Sequence, residues 1–423
     1  MSEIQIRTAG AVDDWNLLRA TTPKGEPLPL PFSDLATTIA QLEYPGTPIG
    51  FAYPFRLPGV GRIYLWTNGA KAQGYSTRSA PSELEAEFLR NRLERVSQLI
   101  RQYARRGVPL EEAQTLLQQA QATAGTSGSH DSDTFLNALS LAVQAGEQAV
   151  VAIASTRLQR MGGREIFLWS ASMESPTELT ELFAPLNMVA LSMDNPDTDW
   201  RTIIQTLARE RIALKAEHLI NDSDIAEARG IFEASLPRRL QTSIDAYRGQ
   251  IRYWNLFTDL AHFSAQAVPT PRAIETVRHA CEVARQMDFG MVRLLGLSNS
   301  LYHRTGAFQL LDACVEHGVP FECIQLNLCW CDYDLFDLDA LLETVGDWGK
   351  PIHLSLSLPT ETGDLPLYRE QSVDWFAGAY LIALSKPYVV ALQVPLVTSE
   401  RSAGLFQADG TLSPYGERLR TSH

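Results

Sequence analysis

The sequence predicts an α/β protein built on a (β/α)8 TIM barrel, preceded by a small N-terminal β-rich and helical region. Three observations lead there. From Glu165 onward, short apolar runs alternate with amphipathic helical stretches at about 30-residue spacing, the pattern of repeated βα units. Eight such runs can be placed, the number that closes a barrel. The chain has 423 residues, enough for a barrel of about 250 residues and a smaller unit before it.

The N-terminal elements follow from local pattern. Glu3–Thr8 alternates like a strand, and Ile49–Leu57 with Arg62–Thr67 predicts a hairpin through Pro58-Gly59. Tyr64 and Trp66 share one face of the second strand, where they either stack on a sugar ring or belong to the core. Ser82 with Glu85 has the spacing of a capping box ahead of Leu84, Phe88, Leu89, Leu93, Val96, Leu99, Ile100 and Tyr103. Gly107 and Pro109 stop that helix, and a shorter one starts at Pro109. Ala124–Asp133 is small and polar without periodicity and predicts a linker, after which Thr134–Gln159 predicts a long apolar helix leading into the barrel. The expected division is therefore 1–120, a β and helical unit; 121–160, linker and lead-in helix; and 161–423, the barrel.

Within the barrel the expected strands are Ile166–Ser170, Asn187–Leu191, Ala213–Ile220, Ile251–Thr258, Val292–Leu297, Phe321–Leu328, Ile352–Ser357 and Val389–Val394. Helical patterns at Trp200–Glu210, Pro271–Gln286, Ala307–His317, Leu338–Val345 and Ser372–Leu384 fall between them.

A formal net charge of −13 argues against nucleic-acid and anionic-membrane partners, both of which reward basic patches. The five cysteines are an odd number and all fall in the last third, which fits a reducing compartment better than a disulfide framework. The opening MSEIQIRTAG has neither a basic n-region nor an apolar h-region, and no run approaches the roughly 18 apolar residues of a membrane span. A cytoplasmic protein with no membrane partner is expected.

The stretch Tyr247–Asp259 (YRGQIRYWNLFTD) reads as a buried strand ending in a carboxylate, which is where barrel chemistry sits. It resembles the fourth strand of glycoside hydrolase family 10, the xylanase family, whose motif R-Y-K-G, spacer, W-D-V-x-N-E ends in the acid/base Glu. Tyr247, Arg248, Gly249, Trp254, Asn255, Leu256, Phe257 and Thr258 keep the frame, with Asp259 in place of that Glu. Over about Glu165 to Leu419 other segments resemble the family in order and spacing. They are Leu186-Asn187 on strand two, Leu214–Ile220 on strand three, Phe321–Leu328 on strand six, Pro351–Ser357 on strand seven, and a closing pattern of Gly404-Leu405-Phe406, Asp409-Gly410 and Pro414-Tyr415.

The resemblance implies a retaining glycosidase site, which needs two carboxyl groups about 5–5.5 Å apart. It places the nucleophile at Leu356, after Ser355. The strand-three His corresponds to Glu217, beside His218; the strand-six Gln and His to Asn327 and Cys329; the strand-two E-N pair to Ser192-Met193; and the strand-eight Trp lies near Pro395-Leu396. A barrel that has lost the family's nucleophile is therefore expected. It would bind a carbohydrate-like or other small ligand at its C-terminal mouth without xylanase activity.

Asp259, Glu217 and His218 are the candidate acid/base residues. Asn187, Asp222, Trp254, Asn299, Asn327, Cys329, Trp330, Ser355 and Gln393 are the candidate ligand contacts. Two alternatives stay open: an enzyme of another reaction class using the same acid/base groups, or a residual glycosidase using Glu361 or Asp364 from the loop after strand seven. Glu217, His218 and Asp222 could join Asp259 or His303 around a metal, but no paired-His helical motif is present, and no metal or cofactor is expected. Cys329 and Cys331 are spaced to face opposite sides of a strand, which argues against a redox pair.

Overall fold

The computed structural model describes the chain apart from residues 1–2, 13, 37, 70–72, 80, 82, 127–131, 165, 176–183, 194–197, 218, 221–231, 262–269, 299–305, 330–332, 359–367, 400–401 and 422–423. Its first strands are β1 (Glu3–Arg7), β2 (Arg19–Thr21), β3 (Pro27–Leu28), β4 (Ser33–Ala36), β5 (Ile39–Glu43), β6 (Gly50–Leu57) and β7 (Gly61–Thr67). In β1 the alternation buries Ile4 and Ile6, and the strand pairs antiparallel with β5, which also carries β4. The hairpin of β6 and β7 turns at Pro58–Val60, with Gly59 at φ +70°, a conformation that only glycine adopts without strain. Tyr64 is buried and donates to the Leu17 carbonyl, and Trp66 is half-buried.

Helices α1 (Leu84–Ala104), α2 (Glu111–Thr126) and α3 (Ser132–Met161) complete this unit. Glu85 does not close a capping box. Its carboxylate accepts from the Thr8 hydroxyl and from the backbone amides of Gly10 and Ala11, tying α1 to the end of β1; Ser82 lies outside the described residues. Helices α2 and α3 pack on one another, and the centre of the expected linker, residues 127–131, lies outside the described residues.

The barrel strands are β8 (Leu168–Met173), β9 (Met188–Ser192), β10 (Ala213–Glu217), β11 (Tyr253–Phe257), β12 (Val292–Ser298), β13 (Cys323–Cys329), β14 (Ile352–Ser357) and, after a short β15 (Tyr368–Arg369), β16 (Val389–Pro395). The eight long strands close in sequence order with every neighbour parallel, the (β/α)8 barrel predicted. Helices α4 (Arg201–Arg209), α5 (Phe232–Tyr247), α6 (Thr270–Met287), α7 (Phe308–Glu316), α8 (Leu335–Gly346) and α9 (Ser372–Ser385) lie between strands, and α10 (Pro414–Thr421) follows the last. The first strand starts later than predicted, leaving Ile166 exposed, and α5 was not predicted.

The N-terminal unit is bolted to the barrel where βα loops re-enter helices. Strand β15, from the connection after β14, pairs antiparallel with β7 and so extends the N-terminal sheet. Glu26 accepts from the Phe308 backbone N–H at 2.6 Å, at the start of α7. Arg92 is ion-paired with Asp334 at 2.8 Å and Asp337 at 2.5 Å, and Arg95 with Asp337 at 2.6 Å, at the start of α8.

Helix α3 also packs on α8 and α9. By length and composition α3 is apolar enough to cross a membrane, contrary to the expectation from apolar runs, with a mean hydropathy of 1.3 over its most apolar stretch. Here its buried side, including Leu139, Val143, Val150 and Ile153, belongs to the protein core.

Candidate functional site

Strand alternation and parallel register decide which side chains share the barrel lumen. Lys215 and Glu217 on β10, Gln325 and Asn327 on β13, His353 and Ser355 on β14, and Gln393 on β16 fall on the inner face, joined by Ser170 on β8 and Asn255 on β11. Barrel interiors are usually filled by Val, Ile and Leu, so a buried polar set of this size is informative.

Its centre is Glu217. One carboxylate oxygen accepts from Gln325 Nε2 at 2.6 Å and lies 3.0 Å from Lys215 Nζ, and the other accepts from Gln393 Nε2 at 2.9 Å. Lys215 in turn donates to Gln393 Oε1 at 2.7 Å, closing a ring of three side chains. Both Glu217 oxygens are thus occupied by donors, which places the group as an anion and not as a proton donor. Burial pushes the Lys215 ammonium below its ordinary pKa, and the Glu217 charge opposes the shift.

His353 lies in the same interior, its ring centroid 5.3 Å from that of Tyr253. Burial, then the Lys215 charge, hold its pKa well below the usual histidine value, so it is neutral at pH 7. Neither ring nitrogen has a hydrogen-bond partner among the described residues, and the same holds for Gln325 Oε1, Asn255 Oδ1 and Ser170 Oγ. Five buried polar atoms on the barrel's inner face, which also carries the Lys215–Glu217 pair, therefore have hydrogen-bonding capacity to spare.

Asp259 stands just past the end of β11, as predicted. Its Oδ1 accepts from the backbone amides of Ala261 at 2.9 Å and Ser298 at 3.0 Å, a capping arrangement that stitches strand four to strand five. The chain passes close here: a Cβ at Gly296 would overlap the Thr258 carbonyl oxygen, so only glycine lets the end of β11 cross β12. That carbonyl accepts from Asn327 Nδ2 at 2.9 Å, and Asn327 Oδ1 accepts from Gln325 Nε2 at 3.0 Å, linking the strand-four turn to the Glu217 cluster.

Several expected contacts are placed elsewhere. Asn187 precedes β9 at the opposite end of the barrel, with its oxygen on the Trp169 N–H and its amide on the Phe167 carbonyl, so it latches two strands together. Trp254 is fully buried on the helix side of β11 and donates to Ile251, because it sits one residue out of phase with the lumen. Leu356 has the same phase on β14. It pairs in register with Leu328 and faces the helices, so its identity says nothing about the mouth, whereas His353, Ser355 and Ser357 alternate inward. Trp169 stacks on Tyr380 at 4.6 Å and Trp200 is buried, both in the core.

Of the remaining candidates, Gln393 bonds Glu217 directly, Asn327 is linked to it through Gln325, and Ser355 lies in register between Asn327 and Gln393. Cys329 ends β13 opposite Ser357. His218, Asp222, Asn299 and Trp330 lie outside the described residues, as do His303, Glu361, Asp364 and Cys331. Burial pushes the thiols of Cys314 and Cys323 up to about 12 and that of Cys281 up as well, which leaves all three inert. Among the described residues no group of three or more His, Cys, Asp or Glu could hold a metal.

Lys215, Gln325, His353, Ser170 and Asn255 were not singled out from sequence. The signal was present: K-A-E, Q-L-N and H-L-S carry polar residues at period two inside strands otherwise built of apolar residues.

No family model and no curated protein matches the sequence. Solved structures with a similar fold include a GH10 endoxylanase from a sugarcane soil metagenome, at 11% identity and TM-score 0.46 over 63% of this chain and 99% of that one. GH10 from Paenibacillus barcinonensis is similar at 13% identity and TM-score 0.46, over 60% of this chain and 95% of that one. The intracellular xylanase of Thermoanaerobacterium saccharolyticum is similar at 14% identity and TM-score 0.46, over 60% and 96%. At these identities the likeness is one of fold.

Proposed function

We propose that this barrel binds a small, neutral, polyhydroxylated ligand at its C-terminal mouth and does not cleave glycosides by the two-carboxylate mechanism. The observation that carries the reading is the set of orphaned polar atoms on Gln325, Asn255, Ser170 and His353, on the same inner face as the Lys215–Glu217 pair. Buried polar atoms cost free energy until something bonds to them, and hydroxyl groups, as donors and acceptors at once, suit a mixed set of amide, imidazole and hydroxyl partners. A neutral ligand fits better than an anion or a cation, because the charges present already cancel.

Retaining hydrolysis asks one carboxyl group to give a proton and another to attack carbon. Glu217 is held by Lys215 and two amides, and Asp259 accepts two backbone amides, so each of these two carboxylates has structural work. Strand seven offers imidazole and hydroxyls where the mechanism needs a carboxylate.

The test uses xylobiose as the binding probe and an aryl β-xyloside as the substrate. Calorimetric binding of xylobiose that weakens in Gln325→Leu, with no turnover of the xyloside, is the expected result. Sustained turnover that survives Glu217→Gln and is lost in Glu361→Gln would instead support the residual glycosidase, with the nucleophile in the strand-seven loop. A second reading, acid–base chemistry of another class, is favoured by one observation: a neutral, unpartnered imidazole at His353 beside a lysine of lowered pKa.

A further inference from the structure

The three-stranded sheet of the N-terminal unit ends in an open strand. Its order is β1-β5-β4, so among the described residues β1 has a strand neighbour on one side only. The bond from the Thr8 amide to the Thr38 carbonyl, at 3.0 Å, fixes the phase of the β1–β5 pairing: Thr8 and, by alternation, Ile4 and Ile6 direct their backbone groups at β5. Glu3, Gln5 and Arg7 therefore direct theirs away from the sheet, and their side chains are exposed as well.

Exposed edges are usually blunted by Pro, by a bulge or by lysines. Strand β1 has none of these. Its sequence is EIQIR, it pairs with β5 without a register shift, and it carries one anion and one cation placed symmetrically about Gln5. Laid antiparallel against a second copy of itself about Gln5, it sets Glu3 opposite the partner's Arg7, Gln5 opposite the partner's Gln5 and Ile4 opposite the partner's Ile6. The outward backbone groups of Glu3, Gln5 and Arg7 then all fall in hydrogen-bonded pairs, and both charged pairs are opposite in sign, which stabilises facing strands. Within one copy neither charge is matched across the strands, since Glu3 stands opposite Glu43 and Arg7 opposite Ile39. Ile4 and Ile6 stay over the core throughout.

We propose that β1 joins two copies of this chain edge to edge, antiparallel and centred on Gln5, so that two three-stranded sheets become one continuous sheet. The contact is isologous, so it closes as a dimer. One strand pair buries less than the roughly 1,200–2,000 Å² of a stable complex, and the association is correspondingly weaker than micromolar.

The experiment is sedimentation velocity on the full chain from about 10 μM to about 1 mM, a range that brackets such an affinity. In about 0.15 M salt a Debye length of about 8 Å screens the net charge of −13 on each copy but not the facing pairs. The wild type is expected to pass from monomer to dimer over this range. Gln5→Pro removes a backbone N–H that bonds nothing among the described residues, on an edge where Pro is tolerated, so it should abolish the dimer in a protein that melts as the wild type does. Glu3→Arg and Arg7→Glu each make both facing pairs alike in charge and should weaken self-association at least about fivefold. Mixing these two variants sets opposite charges across from each other again and should restore the dimer. If Gln5→Pro melts early, the charge variants alone decide. A wild type that stays monomeric at the highest concentration would leave the edge to a strand of some other protein and overturn the proposal. A dimer undiminished in a well-folded Gln5→Pro, or a mixture no more dimeric than its components, would overturn it too.

Discussion

Lys215 Nζ lies 3.0 Å from Glu217 Oε1 inside the barrel, with both side chains almost wholly buried. The pair sits two residues apart on one strand, so it shares the inner face of β10 by alternation, and Gln325 and Gln393 from distant strands complete its hydrogen bonding. Burying two charges is costly, and the geometry offsets that cost only while both charges are present.

Removing one charge alone should therefore be expensive. Lys215→Met or Glu217→Leu is expected to lower unfolding stability by about 3–5 kcal/mol, because each leaves its partner buried and unneutralised. The double substitution should cost clearly less than the sum of the two. Urea denaturation of the four proteins checks this, and strict additivity would mean that the two charges do not stabilise each other.

Asp259 allows a cleaner separation of charge from hydrogen bonding. Asn keeps an Oδ1 for the amides of Ala261 and Ser298, whereas Ala leaves both donors without it. Asp259→Ala should cost about 1–2 kcal/mol and Asp259→Asn only a few tenths, by the usual scale for capping side chains. Equal losses in the two variants would show that the negative charge itself is the stabilising element.

The contact between the N-terminal unit and the barrel should respond to pH through Glu26. Burial, opposed by the amides of Phe308 and Gln309, raises its pKa to about 7. A carboxyl whose folded pKa exceeds its unfolded value of about 4.5 binds more protons when folded, so its contribution is fully present below pH 4.5 and is lost as pH rises through about 7. Glu26→Gln keeps an acceptor for Phe308 without the titration. It should be more stable than wild type at pH 8 by about 2–3 kcal/mol and close to it at pH 4.5. Asp334 shifts in the same direction, so some pH dependence will remain in the variant. Denaturation curves at the two pH values decide the matter.

His353 carries the opposite sign. Its folded pKa lies well below the unfolded value of 6.5, so the unfolded chain binds the extra proton and stability is lost as pH falls below about 6.5. His353→Leu should flatten that acid limb and leave stability at pH 7 unchanged or raised by about 1 kcal/mol, since it removes two unpartnered buried nitrogens. If the same variant also lost xylobiose binding, His353 would be a contact of the lumen site. Unchanged binding would confine its role to packing against Tyr253.

The barrel was legible in the sequence because each strand is a local, self-contained signal. Ile352–Ser357 was placed to the residue, and seven other strands within a few residues of their ends, from apolar runs bounded by turns and spaced by helices. Asp259 was likewise placed at the end of the fourth strand from the frame around Trp254.

Phase was harder, because alternation says that neighbours on a strand face opposite ways but not which way is inward. Leu356 and Trp254 were read as mouth positions, yet they face the helices, while their neighbours Ser355 and Asn255 face the lumen. The Glu217 cluster needed still more. Gln325 and Gln393 lie 108 and 176 residues away in the chain, and only closure of the barrel, with its fixed stagger between strands, brings their amides to the same carboxylate. Glu26 on Phe308 and Arg92 on Asp337, 282 and 245 residues apart, meet only where the N-terminal unit packs on the barrel's helices. Local sequence determined which segments become strands and helices, since backbone hydrogen bonding and side-chain period act over a few residues. The tertiary structure alone decided which polar groups meet, since a buried charge finds its partner across the core and not along the chain.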